Sequence, residues 1–97
     1  MPRAHNVFIT GASSGIGAAL ARRYASAGAA VGLFARRAVE LDALAATLPA
    51  GRAVAYVGDV RDAATLAQAA ADFIARFGPP DVVIANAGIS RGVLTGE

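Results

Sequence analysis

Neither cysteine nor lysine occurs in this chain of 97 residues. The first absence excludes a disulfide framework, a thiolate metal site and a nucleophilic thiol, and no other metal site is expected. The second leaves all nine basic residues as arginine, scattered at Arg3, Arg22, Arg23, Arg36, Arg37, Arg52, Arg61, Arg76 and Arg91. With a net charge of only +2 and no basic cluster, a nucleic-acid partner is not expected. No apolar run approaches the roughly 18 residues of a membrane span. The N-terminus also lacks the long apolar region of a secretory signal, so the cytoplasm is the expected compartment. The single histidine, His5, precedes the first apolar run and reads as an incidental surface residue.

What is present is strongly apolar, 56% hydrophobic against 16% charged, a balance that points to strands buried on both faces. Short apolar runs fall at residues 7–9, 30–35, 53–57 and 82–85. Three amphipathic segments lie between them. The first, 16–27, spaces Ile16, Leu20 and Tyr24 four apart and stops at Gly28. The second, 39–48, aligns Leu41, Leu44 and Leu48 and ends before Pro49. The third, 63–77, repeats Leu66, Ala70, Phe73 and Phe77, with Asp62 as its cap and Gly78-Pro79-Pro80 as its stop. The order is βαβαβαβ, which implies parallel strands joined by right-handed crossovers in a doubly wound α/β plan. Such sheets usually carry about six strands, so four read as an incomplete one with an apolar edge. A chain of this length is at most one small domain.

Thr10-Gly11-Ala12-Ser13-Ser14-Gly15-Ile16-Gly17 follows the first apolar run and opens the first helical pattern. Strand, glycine turn and helix N-terminus stand in the order that a dinucleotide pyrophosphate requires. Glycine permits the tight turn and the close approach of backbone to phosphate, and the first N–H groups of the helix then face the anion. The bland alternative is a loop that merely joins strand to helix. Ser13 and Ser14 are each suited both to hydrogen-bond phosphate and to cap the helix.

The second run ends at Ala35, where dinucleotide folds usually carry an acid for the ribose 2′-hydroxyl. Here Arg36 and Arg37 follow instead. A guanidinium pairs with a 2′-phosphate that a carboxylate would repel, so the stretch argues for NADP over NAD. The alternative is two solvated arginines leading into a helix. Asp59, followed by Val60, stands beyond the third run, where it can accept from an adenine amino group or simply form an Asx turn. Asn86-Ala87-Gly88 follows the fourth run at the same sheet edge. Asn86 can orient backbone there and Gly88 can leave room for a cofactor, or the trio is an ordinary turn.

Taken together, residues 10–17, Arg36, Asp59-Val60 and Asn86-Ala87-Gly88 resemble the short-chain dehydrogenase/reductase superfamily over the whole chain. The resemblance implies the N-terminal βαβαβαβ portion of one NAD(P)-binding, Rossmann-like domain. It assigns Gly11, Ser13, Gly15, Ile16 and Gly17 to the pyrophosphate, Arg36 to the 2′-phosphate, Asp59 to adenine, and Asn86, Ala87 and Gly88 to the sugar region. Ala85 departs from the family's Asn-Asn-Ala-Gly, which loses one side-chain amide. The family's chemistry uses a serine and a Tyr-x-x-x-Lys pair, and a chain without lysine cannot contain that pair. Tyr24 and Tyr56 read as packing residues, Ser90 matches no catalytic serine, and no catalytic residue is assigned. The implied whole is an NADP-dependent oxidoreductase acting on a small carbonyl or alcohol, with homo-oligomers common in the family. The 97 residues alone are expected to be inactive and prone to aggregate. A non-catalytic NADP sensor is the alternative, and a methyltransferase of similar fold is disfavoured by arginine where ribose hydroxyls want an acid.

Overall fold

The computed structural model describes residues 6–13 and 15–86. Within them strand and helix alternate: β1 (Asn6–Thr10), α1 (Gly15–Ser26), β2 (Ala30–Ala35), α2 (Ala38–Ala46), β3 (Ala53–Val57), α3 (Ala63–Phe77) and β4 (Val82–Ala85). All pairings are parallel, in the order β3-β2-β1-β4. The chain winds outward from β1 through β2 to β3, then crosses back to place β4 on the other side of β1. The fold is a Rossmann-like, doubly wound sheet whose winding reverses between β1 and β4.

Alternation along the central strands divides the core into two layers. Val7 and Ile9 of β1 and Val31, Leu33 and Ala35 of β2 face a layer closed by Ala21 and Ala25 of α1 and Leu41 and Leu44 of α2. Phe8, Ala30 and Phe34 point the other way, onto Ala69 and Phe73 of α3. The expectation of strands buried on both faces holds for β1 and β2. It does not extend to the outer strands: β3 is only partly buried, and Val83 of β4 is 63% exposed, because each lies at an edge.

The helix ends follow local chemistry. Asp62 caps α3 by accepting from the Thr65 backbone N–H (3.2 Å) and hydroxyl (2.8 Å). After α1 the chain reverses through Gly28 at φ 91°, which suits glycine. The face of α1 differs from expectation. Gly17, Ala21 and Ala25 are buried, while Ile16 is exposed and Leu20 and Tyr24 only pack at the margin. Small side chains let the helix approach the sheet closely, and the bulky positions ride on its flank.

Gly32, paired in register with Phe8, sits under two rings. A Cβ there would lie 2.7 Å from a Phe8 ring carbon and 2.8 Å from one of Phe73. Gly32→Ala is therefore expected to destabilise the fold by about 1–3 kcal/mol, read as a lowered urea midpoint of the full-reading-frame polypeptide. An unchanged midpoint would show that both rings can shift. No helix among the described residues is long and apolar enough to cross a membrane.

Candidate functional site

The turn after β1 is built by backbone requirements. Gly11 (φ 66°) and Gly15 (φ 37°) adopt left-handed conformations that cost glycine little. Between them Ala12 is fully buried and donates its N–H to the Phe34 carbonyl at 3.2 Å, which ties the turn to β2. Asn86, at the end of β4, braces the same turn from the opposite side. Its backbone N–H donates to the Thr10 carbonyl (3.2 Å) and its side-chain amide to the Gly11 carbonyl (3.1 Å). Gly17 makes this approach possible, since a Cβ there would lie 2.5 Å from the Gly11 oxygen and 2.7 Å from Asn86 Nδ2. The turn thus stands at the switch between β1 and β4, where open α/β sheets bind ligands.

A cleft of about 490 Å³ opens beside it, within the size range of small-molecule sites. Gly11 and Ser13 form one wall. Phe34, Ala35, Arg36 and Arg37, at the end of β2, form the second, with Glu40 of α2. Gly58, Asp59, Val60 and Arg61, after β3, form the third. The strand ends are held together by the Gly58 N–H, which donates to the Ala35 carbonyl at 2.9 Å. Six residues expected from the sequence therefore meet in one cavity: Gly11, Ser13, Arg36, Arg37, Asp59 and Val60. Gly15, Ile16, Gly17 and Asn86 do not line it. Gly15 and Ile16 open α1, while Gly17 and Asn86 support the turn from behind. Ser14, Ala87 and Gly88 lie outside the described residues, as do His5 and Ser90.

Three guanidiniums and two carboxylates share this cleft. Asp59 is held by Arg61, whose Nη2 donates to Oδ2 (2.8 Å) and whose Nε reaches both oxygens (3.2 and 3.3 Å). The Arg61 backbone N–H also donates to Asp59 Oδ1 at 2.9 Å, an Asx turn, so the local-turn reading of this aspartate is realised while its carboxylate still lines the cleft. Arg37 pairs with Glu40 at 3.6 Å. Arg36 has a more distant contact, 4.0 Å to Asp59 Oδ2, and its side chain is 69% exposed. Arg61 and Glu40 were not expected from the sequence. The i,i+2 and i,i+3 spacings to Asp59 and Arg37 were the available signals.

Hydrogen bonds from Arg61 hold the Asp59 carboxyl down to about 2, against 3.8 ordinarily. Between those values the unfolded chain binds the proton that the folded chain does not, so this pairing's contribution is present above about pH 4 and lost as pH falls toward 2. Urea midpoints of the full-reading-frame polypeptide followed across that range should fall less steeply for Asp59→Asn than for the unsubstituted protein. Equal slopes would contradict this.

The tyrosines belong to packing, as expected. Tyr24 rests at the margin of the core. The Tyr56 ring lies 6.1 Å from that of Phe8, and its hydroxyl donates to Asp72 at 2.6 Å. Burial first, and the hydrogen bond to Asp72 second, push the Tyr56 phenol well above its ordinary range. Among the described residues no group of three His, Cys, Asp or Glu side chains could hold a metal ion.

Residues 5–97 match the family described as short chain dehydrogenase. D-threitol dehydrogenase of Mycolicibacterium smegmatis is 44% identical over 86 residues, covering 86% of this chain and 33% of the relative. L-sorbose reductase of Gluconobacter frateurii, solved with NADPH and L-sorbose, superposes with a TM-score of 0.78 at 31% identity, over 89% of this chain and 34% of that one. A 3-ketoacyl-(acyl-carrier-protein) reductase of Brucella melitensis, solved with NADH, gives 0.76 at 29% identity, over 81% and 32%. The chain belongs to the short-chain dehydrogenase family. It spans about a third of the length of the curated relatives it matches.

Proposed function

We propose that this chain is the cofactor-binding portion of an NADP-dependent oxidoreductase that interconverts a small carbonyl compound and its alcohol. The observation that carries the NADP assignment is Arg36, an exposed lining residue of the cleft one position past Ala35, where dinucleotide folds that bind NAD usually carry an acid. The site's shape favours such a ligand. The Gly11 and Gly15 backbone is turned as a phosphate-approaching loop requires, α1 begins at its edge, and the cleft suits an adenosine-sized group. In this reading the glycine turn and the start of α1 hold the pyrophosphate, with Gly11, Ser13, Ser14, Gly15 and Ile16, while Gly17 keeps the turn in shape from behind. Arg36, with Arg37, takes the 2′-phosphate, Asp59 and Val60 border the adenine, and Asn86, Ala87 and Gly88 border the sugar.

When bound, NADP supplies the hydride chemistry. The residues of this chain position it. Asn86 keeps the glycine turn in shape, and the cleft walls fix the adenine end. The 97 residues contain no lysine, so they do not supply the family's Tyr-x-x-x-Lys pair. The names of relatives range over D-threitol, L-sorbose and a 3-ketoacyl-(acyl-carrier-protein), so the proposed substrate class is kept at carbonyl compounds and alcohols. The test is NADPH consumption by the polypeptide of the full reading frame, with a panel of such carbonyl compounds. Turnover is the expected result. Failure to bind any nicotinamide nucleotide would end this reading, and binding without turnover would mark a nucleotide sensor instead.

A further inference from the structure

Two arginines approach one carboxylate oxygen unequally. Arg61 Nη2 lies 2.8 Å from Asp59 Oδ2, and Arg36 Nη1 lies 4.0 Å from the same atom. Arg61 also engages Oδ1 through its backbone N–H and Nε, so it occupies the face of the carboxylate nearest its own turn. Opposite charges at this range attract, and a carboxylate that Arg61 released would draw Arg36 inward. We propose that Arg61 is a specificity-determining positioning residue: by holding Asp59 through both oxygens it keeps Arg36 available to the cofactor's 2′-phosphate.

The inference rests on the NADP reading and goes beyond it, because Arg61 touches neither the phosphate nor the reacting atoms in this scheme. The local geometry favours the arrangement. Arg61 is two residues from Asp59, so its backbone and side chain engage together, whereas Arg36 reaches across from the end of β2. Arg37, at the position before α2, cannot substitute for Arg36 as readily, being paired with Glu40 of that helix.

The consequence is a dependence between sites. In Arg61→Ala the Asp59 carboxylate captures Arg36, so NADPH binds more weakly while NADH is little affected. An exposed ion pair sets the scale, so the NADPH/NADH affinity ratio should fall about three- to fivefold. Adding Asp59→Asn removes the competing charge. In that background Arg61→Ala should change the ratio by less than about 1.5-fold, as the cycle requires of residues that act through one another.

Fluorescence titrations of the full-reading-frame polypeptide with NADPH and with NADH measure this directly. Unsubstituted protein, Arg61→Ala, Asp59→Asn and the double variant are compared. Thermal melts accompany them, since a loss of fold would weaken both nucleotides alike rather than change their ratio. A fallen ratio in Arg61→Ala, recovered with Asp59→Asn, is the expected result. A ratio unchanged by Arg61→Ala, in protein that prefers NADPH, overturns the role of Arg61 and leaves the NADP reading standing. An unsubstituted protein without preference for NADPH overturns both. A loss as large with Asp59→Asn as without it overturns the mechanism through Asp59.

Discussion

Arg36→Ala is expected to weaken NADPH binding about tenfold while changing NADH binding less than about threefold. The asymmetry follows from what the guanidinium faces. Its nearest carboxylate contact is 4.0 Å, against 3.6 Å for Arg37 and 2.8 Å for Arg61, so of the three it has the weakest internal partner. A 2′-phosphate offers a bidentate, charge-assisted pair, and NADH has nothing at that position to lose. Solvent exposure of the side chain limits the effect to about tenfold rather than the hundredfold of a buried pair. Arg36→Glu should go further and favour NADH, by adding repulsion to the lost attraction. Parallel titrations with the two nucleotides read both variants. Equal losses for NADPH and NADH would show that Arg36 acts on the fold, not on the phosphate.

Gly17→Ala should disable the turn itself. The added methyl would stand 2.5 Å from the Gly11 carbonyl oxygen and 3.1 Å from the Ala12 Cα, and both are backbone atoms that cannot rotate aside. The turn must shift, and the brace from the Asn86 amide to the Gly11 carbonyl shifts with it. A destabilisation of about 2 kcal/mol is expected from the overpacking. Both nicotinamide nucleotides should bind at least tenfold more weakly, since a pyrophosphate needs that backbone in place. The signature differs from that of Arg36→Ala: loss without discrimination, with a lowered melting temperature. A variant that melts and binds like the unsubstituted chain would show that the turn has slack.

The element order was legible because apolar runs and Gly or Pro stops punctuate the chain at Gly28, Pro49 and Gly78. The buried face of α1 was not. Spacing of Ile16, Leu20 and Tyr24 equates bulk with burial, whereas this helix packs through Gly17, Ala21 and Ala25. Nor could the sequence show that Gly32 lies beneath Phe8 and Phe73, since strand register and α3 must both be in place first. At the candidate site, Gly11, Arg36 and Asp59 were legible because each follows a strand, and parallel strands deliver their ends to one edge. The Arg61 clamp on Asp59 and the Arg37–Glu40 pair depend on how far side chains reach, which spacing alone does not specify.

The most direct test of the central claim is a paired equilibrium titration of the full-reading-frame polypeptide with NADPH and NADH. A cleft walled by the glycine turn, Arg36 and Asp59 predicts saturable binding of both, with NADPH tighter by about tenfold. Equal affinities would contradict the role given to Arg36. Binding of neither would contradict the assignment of the cleft to a nicotinamide cofactor.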